Sequence, residues 1–305
     1  MSAQAVLFDH PGPKARARHL VYGVVGGLVI LALLGLVVYG LRNELTAEKW
    51  APMLDPGTWQ YYVYPGVFNT LQAAIISVVL ATALGFVLGM GRLSHNRVIS
   101  YVTAVFVEFF RSVPVLMMMV FAYYIFVYTI PLPGDTKSLA GVIVGLTLYN
   151  SCVLAELIRA GVHGLPRGQR EAGLAIGLSQ PQVLRTVLLP QAVTAMLPSL
   201  VSQLVVILKD TALGFFIAYP ELIRQMQNVS TVKGNLVVSF LVAAVIFIVI
   251  NYALTALARF LERKLAKRRA GGRAVALVEL VPNPDPDTPM YTDNDKFEDP
   301  ASYTR

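Results

Sequence analysis

Six apolar runs without a single charge punctuate the chain, at residues 20–41, 66–91, 112–134, 138–155, 186–208 and 234–258. Each reaches the roughly 18 residues that a helix needs to cross the hydrocarbon of a bilayer. A membrane barrel would instead show strands of about ten residues with strict alternation. These runs are longer and apolar on every side. Only helices and closed barrels satisfy the backbone in lipid, so the pattern predicts an all-α, polytopic membrane protein.

Composition agrees with the pattern. The chain is 55% hydrophobic and 14% charged, with a mean hydropathy of +0.60, whereas a soluble domain carries nearer a quarter charged residues. The first run follows Lys14, Arg16 and Arg18, as a signal peptide would, but its 22 apolar residues exceed a signal's apolar core and no Ala-x-Ala site follows. It reads as a retained helix. The lone cysteine, Cys152, excludes an intrachain disulfide.

Basic residues cluster at alternate ends of the runs: Lys14–Arg18, Arg92 and Arg97, then Arg159, Arg167, Arg170 and Arg185, and finally the stretch from Arg259 to Arg273. The intervening segments 42–65 and 131–137 are poorer in Lys and Arg. The positive-inside bias then places both termini and residues 159–190 in the cytoplasm. The net charge of +7 is accounted for by this distribution and calls for no nucleic acid. Segment 42–65 holds Trp50, Trp59, Tyr61, Tyr62 and Tyr64. It reads as an external interfacial segment at headgroup depth, or as an aromatic docking patch. Residues 279–300 are rich in Pro, Asp and Glu, a composition that cannot offset its ordering entropy, so a disordered cytoplasmic tail is expected.

No G-x-x-x-x-G-K-[ST] loop is present, and the histidines His10, His19, His95 and His163 are scattered. Nothing suggests a catalytic group, a metal or a cofactor in this chain. The informative polar stretch is 159–190. Gly164-Leu165-Pro166 interrupts the preceding helix, and 167–178 can resume one. Gly177 supplies a bend, Ser179 a cap and Pro181 a first-turn proline. The expected shape is a helix–bend–helix knob.

That stretch carries Glu171-Ala172-Gly173-x3-Gly177-x9-Val187-x-Leu189-Pro190. It resembles the coupling loop of ABC importer permeases, Glu-Ala-Ala-x3-Gly-x9-Ile-x-Leu-Pro, with Gly173 in place of the second Ala and Val187 in place of Ile. Further elements resemble the polar amino acid uptake family: Pro65 to Leu71, Glu108-Phe109-Phe110-Arg111-Ser112-Val113-Pro114, Gly168-Gln169-Arg170-Glu171-Ala172, Leu189-Pro190-Gln191-Ala192 and Leu208-Lys209-Asp210-Thr211-Ala212-Leu213. The nearest resemblance is to actinobacterial glutamate uptake permeases.

The resemblance implies a five-helix permease core at 66–260, with helices near 66–90, 99–130, 139–158, 191–210 and 235–259. Outside it lie a basic N-terminus (1–19), an extra transmembrane helix (20–41), the interfacial segment (42–65) and a basic, then acidic tail (261–305). It implies a transport subunit in a bacterial plasma membrane that makes no chemical bond. Its partners would be two ATPase subunits that bind ATP and Mg, a second permease subunit of the same or a sister chain, an extracytoplasmic solute-binding protein and membrane lipid. Arg167, Arg170, Glu171, Ala172, Gly173, Gly177, Leu178, Leu189 and Pro190 would then couple the chain to the ATPase. An ion-coupled secondary transporter or a channel is the alternative class.

Polar residues within apolar runs face protein or water. Asn69, Gln72, Asn150, Ser151, Gln203 and Lys209 are therefore candidates for the substrate route. Asn150 lies near mid-helix and reads either as a substrate contact or as an interhelical hydrogen bond. Glu108 and Arg111, three apart, are expected to pair, as structure or as a gate. Glu156 and Arg159 have the same spacing and read as a structural link. Pro114 invites a kink.

Overall fold

The computed structural model describes residues 12–130, 132–134 and 136–280. The expected disordered acidic tail, from residue 281 onward, lies outside the described residues, as does the start of the basic N-terminus. The described residues hold helices and no strand. Two units divide the chain, Met1–Arg259 and Phe260–Arg305.

Helix α1, Pro13–Leu41, takes up the first apolar run, and none of its most apolar stretch is buried. Segment 42–65 is largely helical: α2 spans Ala47–Leu54 and α3 Pro56–Thr58, followed by a π-helical turn, Trp59–Val63. Trp50, Trp59 and Tyr62 pack onto a cluster with Met53, Leu222 and Met226, while Tyr61 and Tyr64 stay exposed. The Trp59 indole N–H donates to the Met53 carbonyl at 2.9 Å.

The helix continues through residue 65. The π-helical turn runs straight into α4, Tyr64–Arg92. Pro65 explains the turn's geometry. A proline within a helix lacks the N–H that a carbonyl four residues back would use, and a π-turn shifts the register. The Tyr64 N–H donates to the Trp59 carbonyl, five residues back.

Helices α5, Arg97–Ser112, and α6, Val115–Tyr128, meet at 98°. The single helix expected at 99–130 is thus broken at Val113-Pro114. The proline pushes its predecessor out of helical geometry, and Val113 is extended at φ −85°, ψ 129°. Helix α6 keeps 14 residues, about 21 Å at the helical rise, so it covers only part of a hydrocarbon core of about 30 Å.

Helix α7, Thr136–His163, is the centre of the bundle, with 61% of its apolar window buried. Glycines let its neighbours close in. A Cβ at Gly85 on α4 would meet the Leu154 Cβ at 2.8 Å, and one at Gly141 on α7 would meet the Tyr123 Cβ at 2.9 Å. This small-residue packing substitutes for the hydrophobic force that helices lack in lipid.

After α7 come α8, Arg167–Ala175, α9, Gln180–Gln182, a second π-helical turn, Val183–Leu188, and α10, Leu189–Ala195. Helix α11, Leu197–Asp210, follows a break at Met196, so the helix expected at 191–210 is also two pieces. A 3-10 segment, Thr211–Ile217, leads to α12, Leu222–Lys233, and α13, Leu236–Leu280. The corner before α12 is pinned to the start of α4. The Asn69 amide donates to the Pro220 carbonyl at 2.8 Å, the Tyr219 hydroxyl donates to the Asn69 carbonyl at 2.8 Å, and the Leu222 N–H reaches Thr70 Oγ1 at 3.2 Å.

Glu221 caps α12, accepting from the Ile223 and Arg224 N–H groups at 2.8 Å each. It is completely buried. Burial pushes its carboxyl from 4.5 up to about 7, against the pull of those two N–H groups. The folded state therefore holds this proton more tightly than the unfolded one, so the contribution to stability is full below pH 4.5 and is lost as pH rises to about 7. Thermal unfolding of wild type and Glu221→Gln in detergent across that range checks this. The wild type is expected to lose stability relative to the variant as pH rises, and parallel curves would contradict it.

Candidate functional site

The stretch 159–190 folds as a knob whose parts are explained by local chemistry. Helix α8 ends in a Schellman motif at Gly177, which sits at φ +85°. The Leu178 N–H donates to the Gly173 carbonyl at 3.2 Å, and the Gly177 N–H to that of Leu174 at 3.0 Å. Ser179 then caps the next turn, its N–H and hydroxyl both donating to Gln182 Oε1 at 2.8 Å. Pro181 lies in the first turn of α9. Pro190 follows the second π-helical turn as Pro65 follows the first, and the Leu189 N–H donates to the Leu184 carbonyl, again five residues back.

Two polar links hold the knob closed. Arg170 donates to Gln180 Oε1 from Nε at 3.1 Å and Nη2 at 2.7 Å, and Gln191 Nε2 donates to Gln169 Oε1 at 3.0 Å. Gly173 is buried, and a Cβ there would stand 2.9 Å from Val183 Cγ2. That contact accounts for glycine at this place in the motif. Leu178 and Leu189 pack inward on Val183 and Leu188, which separates them from the outer surface of the knob. Arg167, Arg170, Glu171, Ala172, Gly177 and Pro190 lie on that surface. So does Ile176, 77% exposed at the tip. Sequence reasoning passed over Ile176, although an isoleucine directly before the bend glycine was visible.

An ion cluster anchors the knob's base. Glu156 on α7 accepts from Arg92 Nε at 2.8 Å and Arg159 Nε at 3.0 Å, with Arg111 Nη1 3.9 Å away. Arg92 Nη2 stands 3.6 Å from Glu108. The expected Glu108–Arg111 pair is therefore replaced: each residue turns to a partner on another helix, because Glu156 gathers the arginines of α4, α5 and α7 around one carboxylate. The Glu156–Arg159 link is present.

Of the substrate-route candidates, Asn150 and Gln203 meet in one hydrogen bond, while Asn69, Ser151 and Lys209 are placed against other groups. Asn150 is completely buried, donating to the Leu146 carbonyl at 2.8 Å and accepting from Gln203 Nε2 at 2.7 Å. Of its two readings the structure supports the interhelical bond, joining α7 to α11. Ser151 is also fully buried and donates to the Leu148 carbonyl at 2.9 Å. Asn69 serves the corner before α12, and Gln72 is half-buried on α4. Lys209 is exposed and opens onto a groove of about 690 Å³ between α11 and α13. Phe240, Phe247 and Asn251 share its lining, and the Asn251 side-chain oxygen is buried without a hydrogen-bond partner. Among the described residues, no group of three or more His, Cys, Asp or Glu converges.

Comparison with known proteins gives concordant results. Residues 56–267 match the family model described as binding-protein-dependent transport system inner membrane component. The chain is 44% identical over 242 residues to the glutamate transport system permease protein GluD of Corynebacterium glutamicum, covering 79% of this chain and 89% of that one. It is 36% identical over 205 residues to the probable glutamine ABC transporter permease protein GlnP of Bacillus subtilis, covering 66% of this chain and 92% of the relative. A crystal structure of an amino acid ABC transporter with histidines superposes with a TM-score of 0.61 at 25% identity, over 66% of this chain and 93% of that chain.

Asn150→Ala is expected to cost stability, since it removes the bond to the half-buried Gln203 amide: about 0.5–1.5 kcal/mol, the range of an interhelical hydrogen bond. Thermal unfolding in detergent checks it. A stability equal to wild type would show that the α7–α11 bond contributes nothing.

Proposed function

Since the chain belongs to the family of binding-protein-dependent transport system inner membrane components, as a non-catalytic permease subunit of an ABC-type amino-acid importer, we propose that it imports glutamate or another acidic amino acid and is driven through residues 159–190. Family membership sets aside the ion-coupled transporter and the channel. The observation that carries the substrate assignment is the 44% identity to a glutamate permease over most of both chains. The groove at Lys209 supports it, because its lining carries two cationic groups, Lys209 and Arg259, and no carboxylate, which favours an anionic solute.

The knob is the surface that receives force. Its tip offers an apolar anchor, Ile176, beside a carboxylate, Glu171, on a rigidly capped turn. A small, preorganised knob of this kind suits a cleft on a partner subunit. In this reading two ATPase subunits take ATP and Mg and grip the knobs of two permease subunits, the second a copy or a sister chain. A solute-binding protein delivers the amino acid from outside. The basic clusters support a cytoplasmic knob and cytoplasmic termini at a bacterial plasma membrane. The helix at 20–41, the segment at 42–65, the core at 66–260 and the tail at 261–305 are proposed as its parts in order. Movement of the knob is passed to the bundle by the Glu156 cluster, which joins α4, α5 and α7 at its base.

Reconstitution with the ATPase and the binding protein tests this reading. Gly177→Leu forces a side chain into a left-handed backbone and Glu171→Lys reverses a charge on the contact face. Each is expected to lower binding-protein-stimulated ATP hydrolysis and glutamate uptake about tenfold, the equivalent of 1.4 kcal/mol, while the permease stays inserted. Lys209→Gln is expected to raise the KM for glutamate and leave ATPase binding unchanged. Normal assembly, stimulation and uptake in both loop variants would refute the coupling role, and an unchanged KM would remove Lys209 from the route.

A further inference from the structure

A second cleft, of about 720 Å³, lies between the knob and the α4–α5 turn. Arg92, Arg167, Arg170, Arg185, His95 and His163 contribute to its walls, and its lining contains no carboxylate. Arg92 is engaged by Glu156 and Arg170 by Gln180. Arg167 and Arg185 have no acidic partner among the described residues. Concentrated positive charge without a counterion is costly in a concave site, and it focuses an attractive field on anions. Its apolar lining includes Met90 from the end of α4, Leu93 just after it and Leu188 from the second π-helical turn.

We propose that this cleft binds the headgroup of an anionic phospholipid of the leaflet on the knob's side, with the phosphodiester between Arg167 and Arg185. Guanidinium groups match phosphate oxygens with paired N–H donors. Basic pockets between transmembrane helices at the cytoplasmic surface suit anionic headgroups. The apolar lining decides between a lipid and a free anion: a headgroup brings glycerol and the first methylenes of its chains, which cover that lining, whereas inorganic phosphate would leave it wet. The cleft's volume also lies in the range of sites for molecules far larger than phosphate. Bound there, the lipid would join the membrane helix α4 to the knob. The leaflet rests on the orientation proposed above; the chemistry does not.

Native mass spectrometry of the assembled permease–ATPase complex with added phosphatidylglycerol tests the assignment, with phosphatidylcholine alone and phosphatidylcholine plus inorganic phosphate as the other arms. Wild type is expected to retain phosphatidylglycerol over phosphatidylcholine. Arg185→Gln and Arg167→Gln, on different walls, should each reduce that retention about tenfold, a change of 1.4 kcal/mol, and Arg97→Gln, outside the cleft, should not. Equal retention in both cleft variants would overturn the proposal, as would displacement of the lipid by millimolar phosphate, which would mark a free-anion site. Lipid counts on Ile176→Ser permease without ATPase keep this inference apart from the coupling role. Wild-type retention is expected there, and its loss would also overturn the assignment to the cleft.

Discussion

Close approach of α4 to α7 is the contact on which the remaining architecture depends. In lipid there is no hydrophobic gain from joining two apolar helices, so association rests on packing and polar bonds. Gly85 and Gly89 remove the side chains that would hold α4 away from Leu154 and Ile158. On its other face α7 admits α6 at Gly141 and Gly145, where a Cβ would press on Tyr123 and Met119. With α7 enclosed on both sides, two of the polar groups it carries find partners on neighbouring helices, while the buried Thr147 hydroxyl has none among the described residues. Asn150 finds Gln203, and Glu156 finds arginines from the neighbouring helices.

The same constraint connects membrane to knob. Glu156 lies about two turns before the end of α7, where the α4–α7 contact reaches Arg92. Helix α5 approaches there through Glu108 and Arg111, and the 98° corner at Pro114 then sends α6 back along α7. Beyond the cluster, His163 closes α7 and the knob begins. The knob keeps its own compact core of Val162, Val183, Leu188 and Ala192. A shift imposed on its tip therefore moves a packed body whose base is tied to three membrane helices, and interiors of that density transmit displacement rather than absorb it.

Much of this was legible in the residues. Six uncharged runs located the apolar helices, and Gly177, Ser179 and Pro181 located the bend, cap and restart of the knob, because each acts through its own backbone. Tertiary pairing was not legible. Spacing alone offers Glu108 to Arg111, yet Arg92, far away in sequence, and Glu156 win those partners because the helices bring them closer. Asn150 had the position of a substrate ligand, and only burial against α11 shows its amide already satisfied. The helical continuity through residue 65 was hidden for a different reason. Proline ordinarily ends a helix, and the π-turn that accommodates it leaves no periodic mark in so short a segment.

The central claim is that the tip of the knob is covered by the ATPase. Ile176→Cys offers a direct measurement, because the chain's own cysteine, Cys152, is buried and position 176 is exposed. Maleimide labelling of that variant is compared for the permease alone and for the permease saturated with the ATPase. The account predicts rapid labelling of the free permease and protection of at least about tenfold in the complex, corresponding to 1.4 kcal/mol or more of occlusion. Labelling at the same rate in a complex that still contains the ATPase would contradict it.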